Sequence, residues 1–205
     1  MTITLNKVSK RFDREWIFKN LSYTFSSGKS YAILGPNGSG KSTLMKLLSG
    51  SLSATSGEIN YQLNHGEVGG EDVFENVSFC APYLQMIEEM TITESVNFHF
   101  RFKKLFAGVQ QDDVLKLLML DGHQDKQLSQ LSSGMMQRLK VGLALLSEAA
   151  VVLLDEPATN LDEVGVAWYA DLIANYTANR LVVVSSNRPE EYDFCVEQLL
   201  ITDFK

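Results

Sequence analysis

The chain has 205 residues, of which 45% are hydrophobic and 21% charged, proportions that suit one folded domain with a real core and exclude a disordered chain or a coiled coil. The formal net charge is −7 and no long basic run occurs, so a nucleic-acid partner, which calls for a basic footprint, is not expected. Cys80 and Cys195 are the only cysteines, too few for a disulfide framework and suited to a reducing compartment.

The first eight residues alternate polar and apolar side chains and lack the basic-then-apolar pattern of a secretory leader, so a strand is expected there. Tyr31-Ala32-Ile33-Leu34 is an apolar run ended by Gly35-Pro36-Asn37-Gly38, the pattern of a buried strand running into a loop. A helix is expected from about Lys41, because Leu44, Leu47 and Leu48 stand at i, i+3 and i+4, with Gly50 as its stop. Thr91-Ile92-Thr93-Glu94 has the form of a capping box and predicts a second helix start. From there to about residue 147 the apolar spacing is helical, as in an inserted helical subdomain.

Within it, Phe98, Phe102 and Phe106 recur at helical spacing. The stripe reads most simply as core, with a groove for a partner helix as the alternative, and Arg101, Lys103 and Lys104 beside it read as a solvated face. Val151-Val152-Leu153-Leu154 and Leu181-Val182-Val183-Val184 do not alternate, as expected of parallel strands covered on both faces. Residues 149–154 form an apolar stretch far below the ~18–20 residues of a spanning helix, so any membrane crossing is expected to belong to another chain.

Two motifs carry chemistry. Gly35-Pro36-Asn37-Gly38-Ser39-Gly40-Lys41-Ser42-Thr43 satisfies G-x-x-x-x-G-K-[ST] between a strand and a helix, the context a phosphate loop requires. Its glycines let backbone amides turn toward phosphates at a helix N-terminus, Lys41 is placed to neutralise the β and γ phosphates of a nucleotide, and Ser42 to offer a hydroxyl to Mg²⁺. Asp155-Glu156-Pro157 follows a buried strand, at the edge where open α/β sheets bind ligands. Asp155 is expected to hold the metal and Glu156 to orient, or take a proton from, the water that attacks the γ-phosphate.

Leu131-Ser132-Ser133-Gly134-Met135-Met136-Gln137-Arg138, about twenty residues before that strand, resembles the signature motif of ABC ATPases. The order of phosphate loop, signature, acidic pair and then Ala158-Thr159-Asn160-Leu161-Asp162, which looks like the family's D-loop, spans nearly the whole chain. Lys7-Val8-Ser9-Lys10-Arg11-Phe12 resembles the segment whose aromatic residue stacks on adenine, with Phe12 in that place. The resemblance implies an α/β fold: a P-loop NTPase (RecA-like) core with a mostly parallel central sheet, a small antiparallel β-subdomain and an inserted helical subdomain. It implies one domain over 1–205, with about 1–80 and 148–205 forming the core and β-subdomain and about 82–147 the helical part.

The same resemblance implies an ATPase that uses ATP and Mg²⁺ and drives transport through a separate integral membrane permease. It places the chain on the cytoplasmic face of the cell membrane and pairs it head to tail with a second ABC ATPase subunit, like or unlike. Ser132, Ser133 and Gly134, at a helix N-terminus, would then meet the γ-phosphate held by the other protomer. An ATP-binding regulatory module or a non-transport ABC ATPase with slow turnover is the alternative, although ABC ATPases of ribosomes or DNA usually show tandem domains, coiled insertions or basic surfaces.

This chain departs from the family in two places. The family's switch histidine should fall near Ser186, but the histidines are His65, His99 and His123, so Ser186 or Asn187 is left to contact the phosphate without positive charge. In Val77-Ser78-Phe79-Cys80-Ala81-Pro82, the position of the family's metal-contacting Gln falls on Pro82, and Gln85 is the nearest stand-in. Ser133 also replaces a usual Gly, and Met135-Met136 stand where Gln or Lys is commoner.

Overall fold

The computed structural model describes residues 1–63 and 66–205, and among them are nine strands and seven α-helices; His65 lies outside the described residues. The strands are β1 (Thr2–Phe12), β2 (Glu15–Phe25), β3 (Ser30–Leu34), β4 (Ser56–Leu63), β5 (Gly66–Val68), β6 (Val77–Cys80), β7 (Val151–Asp155), β8 (Leu181–Ser185) and β9 (Glu197–Leu200). The helices are α1 (Lys41–Leu48), α2 (Val73–Asn76), α3 (Ile92–Phe102), α4 (Val114–Leu117), α5 (Ser133–Leu145), α6 (Glu163–Tyr176) and α7 (Pro189–Tyr192).

A five-stranded sheet runs β6-β7-β8-β3-β9, with each adjacent pair parallel. A second sheet, β2-β1-β4-β5, is antiparallel throughout. The α/β class, the parallel core and the small antiparallel sheet are therefore as the sequence implied. Because β8 separates β3 from β7, the phosphate loop after β3 and the acids after β7 emerge at the same sheet edge with the end of β8 between them.

Every residue of β7 and β8 is buried, because both faces of the sheet are covered and side chains alternate between them. Val151 and Leu153 face a layer built from Leu44, Met45 and Leu48 of α1 and Phe18 and Phe25 of β2. Val152 and Leu154 face the opposite layer, with Leu139 and Leu143 of α5 and Tyr169 and Leu172 of α6. Each such buried side chain contributes about 1.5–3 kcal/mol of transfer free energy, so the strands that present the site are firmly anchored.

The capping box forms: Thr91 Oγ1 accepts from the Glu94 amide at 3.2 Å and Glu94 Oε2 accepts from the Thr91 amide at 2.8 Å. Reading the phenylalanine stripe as core is corrected. Helix α3 ends at Phe102, after which Lys103 is extended (φ −121°), so Phe106 leaves the stripe and packs on Tyr176 at 5.5 Å. The face that α3 buries is Ile92, Ser95 and Val96, leaving Phe98 44% and Phe102 73% exposed.

Candidate functional site

Gly40 makes the junction between loop and helix with φ 104°, a conformation that costs glycine nothing. A Cβ at that position would stand 2.4 Å from Ile17 Cγ2, so only glycine lets the β-subdomain close against the loop. Ser39 closes the turn by donating its amide to the Pro36 carbonyl at 3.1 Å. Lys41 folds back and donates from Nζ to the carbonyls of Gly35 at 2.7 Å and Pro36 at 3.4 Å. Burial lowers the Lys41 ammonium from its ordinary pKa, while the Glu156 and Asp155 carboxylates oppose that shift. A cation held by two carbonyls in this way can exchange them for stronger charge-assisted bonds to phosphate.

A cavity of about 230 Å³ opens here, lined by Asn37, Gly38, Gly40, Lys41, Ser42 and Thr43, with Ile17 on one side and Glu156 on another. Gly35 and Pro36 act through the carbonyls that hold Lys41. Ser39 is buried, and its hydroxyl oxygen has no hydrogen-bond partner.

Asp155 is 1% exposed, and neither carboxylate oxygen has a hydrogen-bond partner. Burial pushes its carboxyl above the usual range; the Ser42 and Ser185 hydroxyls beside it work against that, without meeting ordinary hydrogen-bond geometry. A buried carboxylate with both oxygens unmet is costly, and a hard cation beside the Ser42 hydroxyl would satisfy it. Among the described residues no cluster of three or more His, Cys, Asp or Glu exists to cage a metal. One carboxylate with both oxygens unmet beside one hydroxyl would suit Mg²⁺, which takes one or two protein oxygens and completes its shell with phosphate and water.

Around this centre the remaining candidates separate. Ser186 is 1% exposed and its Oγ accepts from the Arg188 amide at 2.9 Å, so its side chain is turned into the chain. Asn187 is the residue of that segment that reaches the loop, donating from Nδ2 to Asn37 Oδ1 at 3.0 Å. Gln85 does not reach the cavity: it is exposed and lines an apolar groove instead. A turn closed by the Leu84 amide on the Ala81 carbonyl at 3.2 Å brings Tyr83 to the acid. Burial, and then the neighbouring Asp155 carboxylate, push the Tyr83 phenol up. The Lys46 ammonium lies 4.1 Å from its ring. Tyr83 and Ile17 were missed in the sequence; a Tyr directly after Ala81-Pro82 was the available signal for the first.

Phe12 is 46% exposed at the end of β1, under the Lys10 ammonium at 5.0 Å, and outside the cavity lining. Ser132 caps α5, its Oγ accepting from the Met135 amide at 3.2 Å, which leaves the hydroxyl proton free to donate outward. Ser133 is exposed, and Gly134 passes so near the Asn160 carbonyl that a Cβ would stand 3.0 Å from it. None of the three lines the cavity of its own chain. Asp162 caps α6 by accepting from the Gly165 amide at 2.8 Å and pairs with Arg138 at 3.4 Å.

The family model described as ABC transporter matches residues 18–159, a span that holds the phosphate loop, the signature segment and the acidic pair. The spermidine/putrescine import ATP-binding protein PotA of Fusobacterium nucleatum is 34% identical over 163 residues, covering 78% of this chain and 43% of that protein. The lantibiotic transport ATP-binding protein SrtF of Streptococcus pyogenes is 29% identical over 194 residues, covering 90% of this chain and 79% of that protein. The chain thus spans less than half the length of the first relative and about four fifths of the second. Among solved structures, the ATP-binding cassette MJ0796 in a dimeric post-hydrolysis state bound to ADP and Pi superposes with a TM-score of 0.82 at 22% identity, covering 97% of this chain and 94% of that one.

Proposed function

We propose, from the premise that this chain belongs to the ABC transporter family, that it binds ATP, hydrolyses it, and drives a separate membrane permease by ATP-dependent pairing with a second such subunit. The observation that carries the reading is the single cavity that brings Lys41, Ser42 and Glu156 together beside a buried Asp155 with both oxygens unmet.

The loop amides and the N-terminus of α1 receive the β and γ phosphates, and Lys41 exchanges the Gly35 and Pro36 carbonyls for phosphate oxygens. Asp155 and Ser42 would hold Mg²⁺, which supplies neutralisation of the phosphate charge when bound. Glu156 orients a water against the γ-phosphorus and takes its proton as the new P–O bond forms and the bond to the bridging oxygen breaks. Phe12 reaches the adenine from the rim, as the family resemblance assigns it.

Ser132, Ser133 and Gly134 lie outside their own chain's cavity, so they act on the nucleotide of a partner subunit. ATP then joins the two subunits and hydrolysis releases them. Asp162, through Arg138, keeps the D-loop beside that junction.

No helix among the described residues is long and apolar enough to cross a membrane. The groove of about 390 Å³ between the loop at Leu84–Ile87 and the exposed Phe98 and Phe102 of α3 supports docking of a short helix of the permease, with the chain peripheral at the cytoplasmic membrane face in this reading. A second reading, an ATP-binding module of low turnover, is favoured by the inward Ser186 and the absence of histidine from the segment after β8.

Phosphate release by the purified chain, with and without Lys41→Ala, separates these readings. Turnover that Lys41→Ala removes supports the motor, ATP binding without turnover supports the module, and equal release by both proteins removes the enzymatic claim. Glu156→Gln should trap an ATP-bound pair in sizing experiments, and co-purification of an integral membrane protein tests the coupling to transport.

A further inference from the structure

The backbone that follows Asp155 is held from two sides. From α5, Gln137, 4% exposed, donates from Nε2 to the carbonyls of Pro157 at 2.8 Å and Glu156 at 3.3 Å. From α7, Glu191, fully buried, accepts the Ala158 amide on Oε1 at 2.9 Å. Arg188 donates from Nη1 to the Ala158 carbonyl at 3.2 Å and lies 3.9 Å from the same Glu191 oxygen. Three consecutive residues are thus fixed by three side chains that are distant in sequence.

Glu156, the first of the three, has φ 48°, in the left-handed region that a residue with a Cβ keeps only when its surroundings over-determine it. Its own amide donates to the Ser185 carbonyl at 2.8 Å. A buried carboxylate is a costly way to hold one amide, and Glu191 Oε2 makes no hydrogen bond of ordinary geometry, with the Ser186 hydroxyl beside the carboxyl. A neutral side chain would hold an ordinary loop as well; a charge-assisted bond gives a stiffer one.

We propose that Glu191, with Gln137 and Arg188, is a positioning residue that locks the backbone of Glu156 and so aims its carboxylate at the phosphate cavity. The inference rests on the ATPase reading for its consequence but not for its geometry. The clamp also links the site to both neighbouring segments. Gln137 belongs to the signature helix, and Glu191 and Arg188 follow Asn187, which is bonded to the phosphate loop. Movement of either segment is thereby transmitted to the general base.

Amide hydrogen exchange and steady-state hydrolysis on the purified full chain test the clamp. Glu191→Ala should speed exchange of the amides of Glu156, Ala158, Thr159 and Asn160 by about 10- to 100-fold, the loss expected for a charge-assisted bond, and leave exchange in β3 and β8 unchanged. It should lower kcat by about 10- to 100-fold, as misplacement of a catalytic group does, with KM for ATP within about 2-fold. Glu191→Gln keeps an acceptor for Ala158 without the charge and should restore part of both. In a Glu156→Gln background, Glu191→Ala should cost no further turnover.

Unchanged exchange at Glu156, Ala158, Thr159 and Asn160 in Glu191→Ala, or an equal loss of kcat in both backgrounds, would overturn the proposal. Should Glu191→Ala not fold, Gln137→Ala is read by the same exchange and the same outcomes decide. If the wild-type chain hydrolyses no ATP, the ATPase reading fails, while the exchange measurement still decides the clamp.

Discussion

Asn187 Nδ2 donates to Asn37 Oδ1 at 3.0 Å, tying the segment after β8 to the middle of the phosphate loop. The pair is exposed and neutral, so it contributes about 0.5–1.5 kcal/mol. Asn187→Ala is therefore expected to weaken ATP binding by about 2- to 10-fold without abolishing it, measured by nucleotide titration. A larger loss would mean that Asn187 contacts the nucleotide itself.

Arg180 is 6% exposed and donates to four carbonyls: Leu145 at 2.8 Å, Ser147 at 2.9 Å, Ala149 at 2.8 Å and Tyr176 at 2.8 Å. It therefore closes the C-terminal ends of α5 and α6, whose last carbonyls have no partner within the helix. Burial lowers the guanidinium to about 10. Arg180→Met should cost about 3–5 kcal/mol in urea unfolding, because it strands several buried acceptors at once.

His99 bonds the Ser147 hydroxyl at 2.8 Å, and burial, then the Lys103 charge, lower it from 6.5 to about 4. The unfolded chain thus binds a proton between these values that the folded chain refuses, so stability rises with pH across the window and is lost as pH falls from about 6.5 to about 4. The loss is of the order of 3 kcal/mol at most. Melting temperature followed from pH 7 to pH 4 should fall less steeply for His99→Gln, which keeps a hydrogen-bonding side chain, than for the wild type.

Phe102 is 73% exposed and stacks edge-on to Phe98 at 5.2 Å. Phe102→Ser should change stability by no more than about 0.5 kcal/mol and leave phosphate release by the isolated chain unaltered. Recovery of the proposed membrane partner in a pull-down should drop clearly. Undiminished recovery would remove the groove from the coupling surface.

The two motifs were legible in the sequence because a phosphate loop and an acid pair at a strand end act through neighbours in the chain. Their placement on parallel strands of one sheet, with β8 between them, followed from the unalternating apolar runs. The helical cap at Thr91 was legible for the same local reason. The phenylalanine stripe misled because periodicity does not show where α3 stops, and Phe106 lies beyond it. Gln85 was the nearest chemical match to a missing glutamine, yet the turn after β6 delivers Tyr83 to Asp155. Arg180, Gln137 and Glu191 gave no signal, since their partners are backbone groups from 4 to 35 residues away, and no side-chain pattern records such bonds.

Uptake of Mg·ATP by the purified chain, measured by equilibrium titration for the wild type and Lys41→Ala, bears most directly on the account. One nucleotide bound per chain, lost or weakened by two or more orders of magnitude in the variant, is the expected result. No uptake by the wild type at millimolar nucleotide, or equal uptake by both proteins, would contradict it.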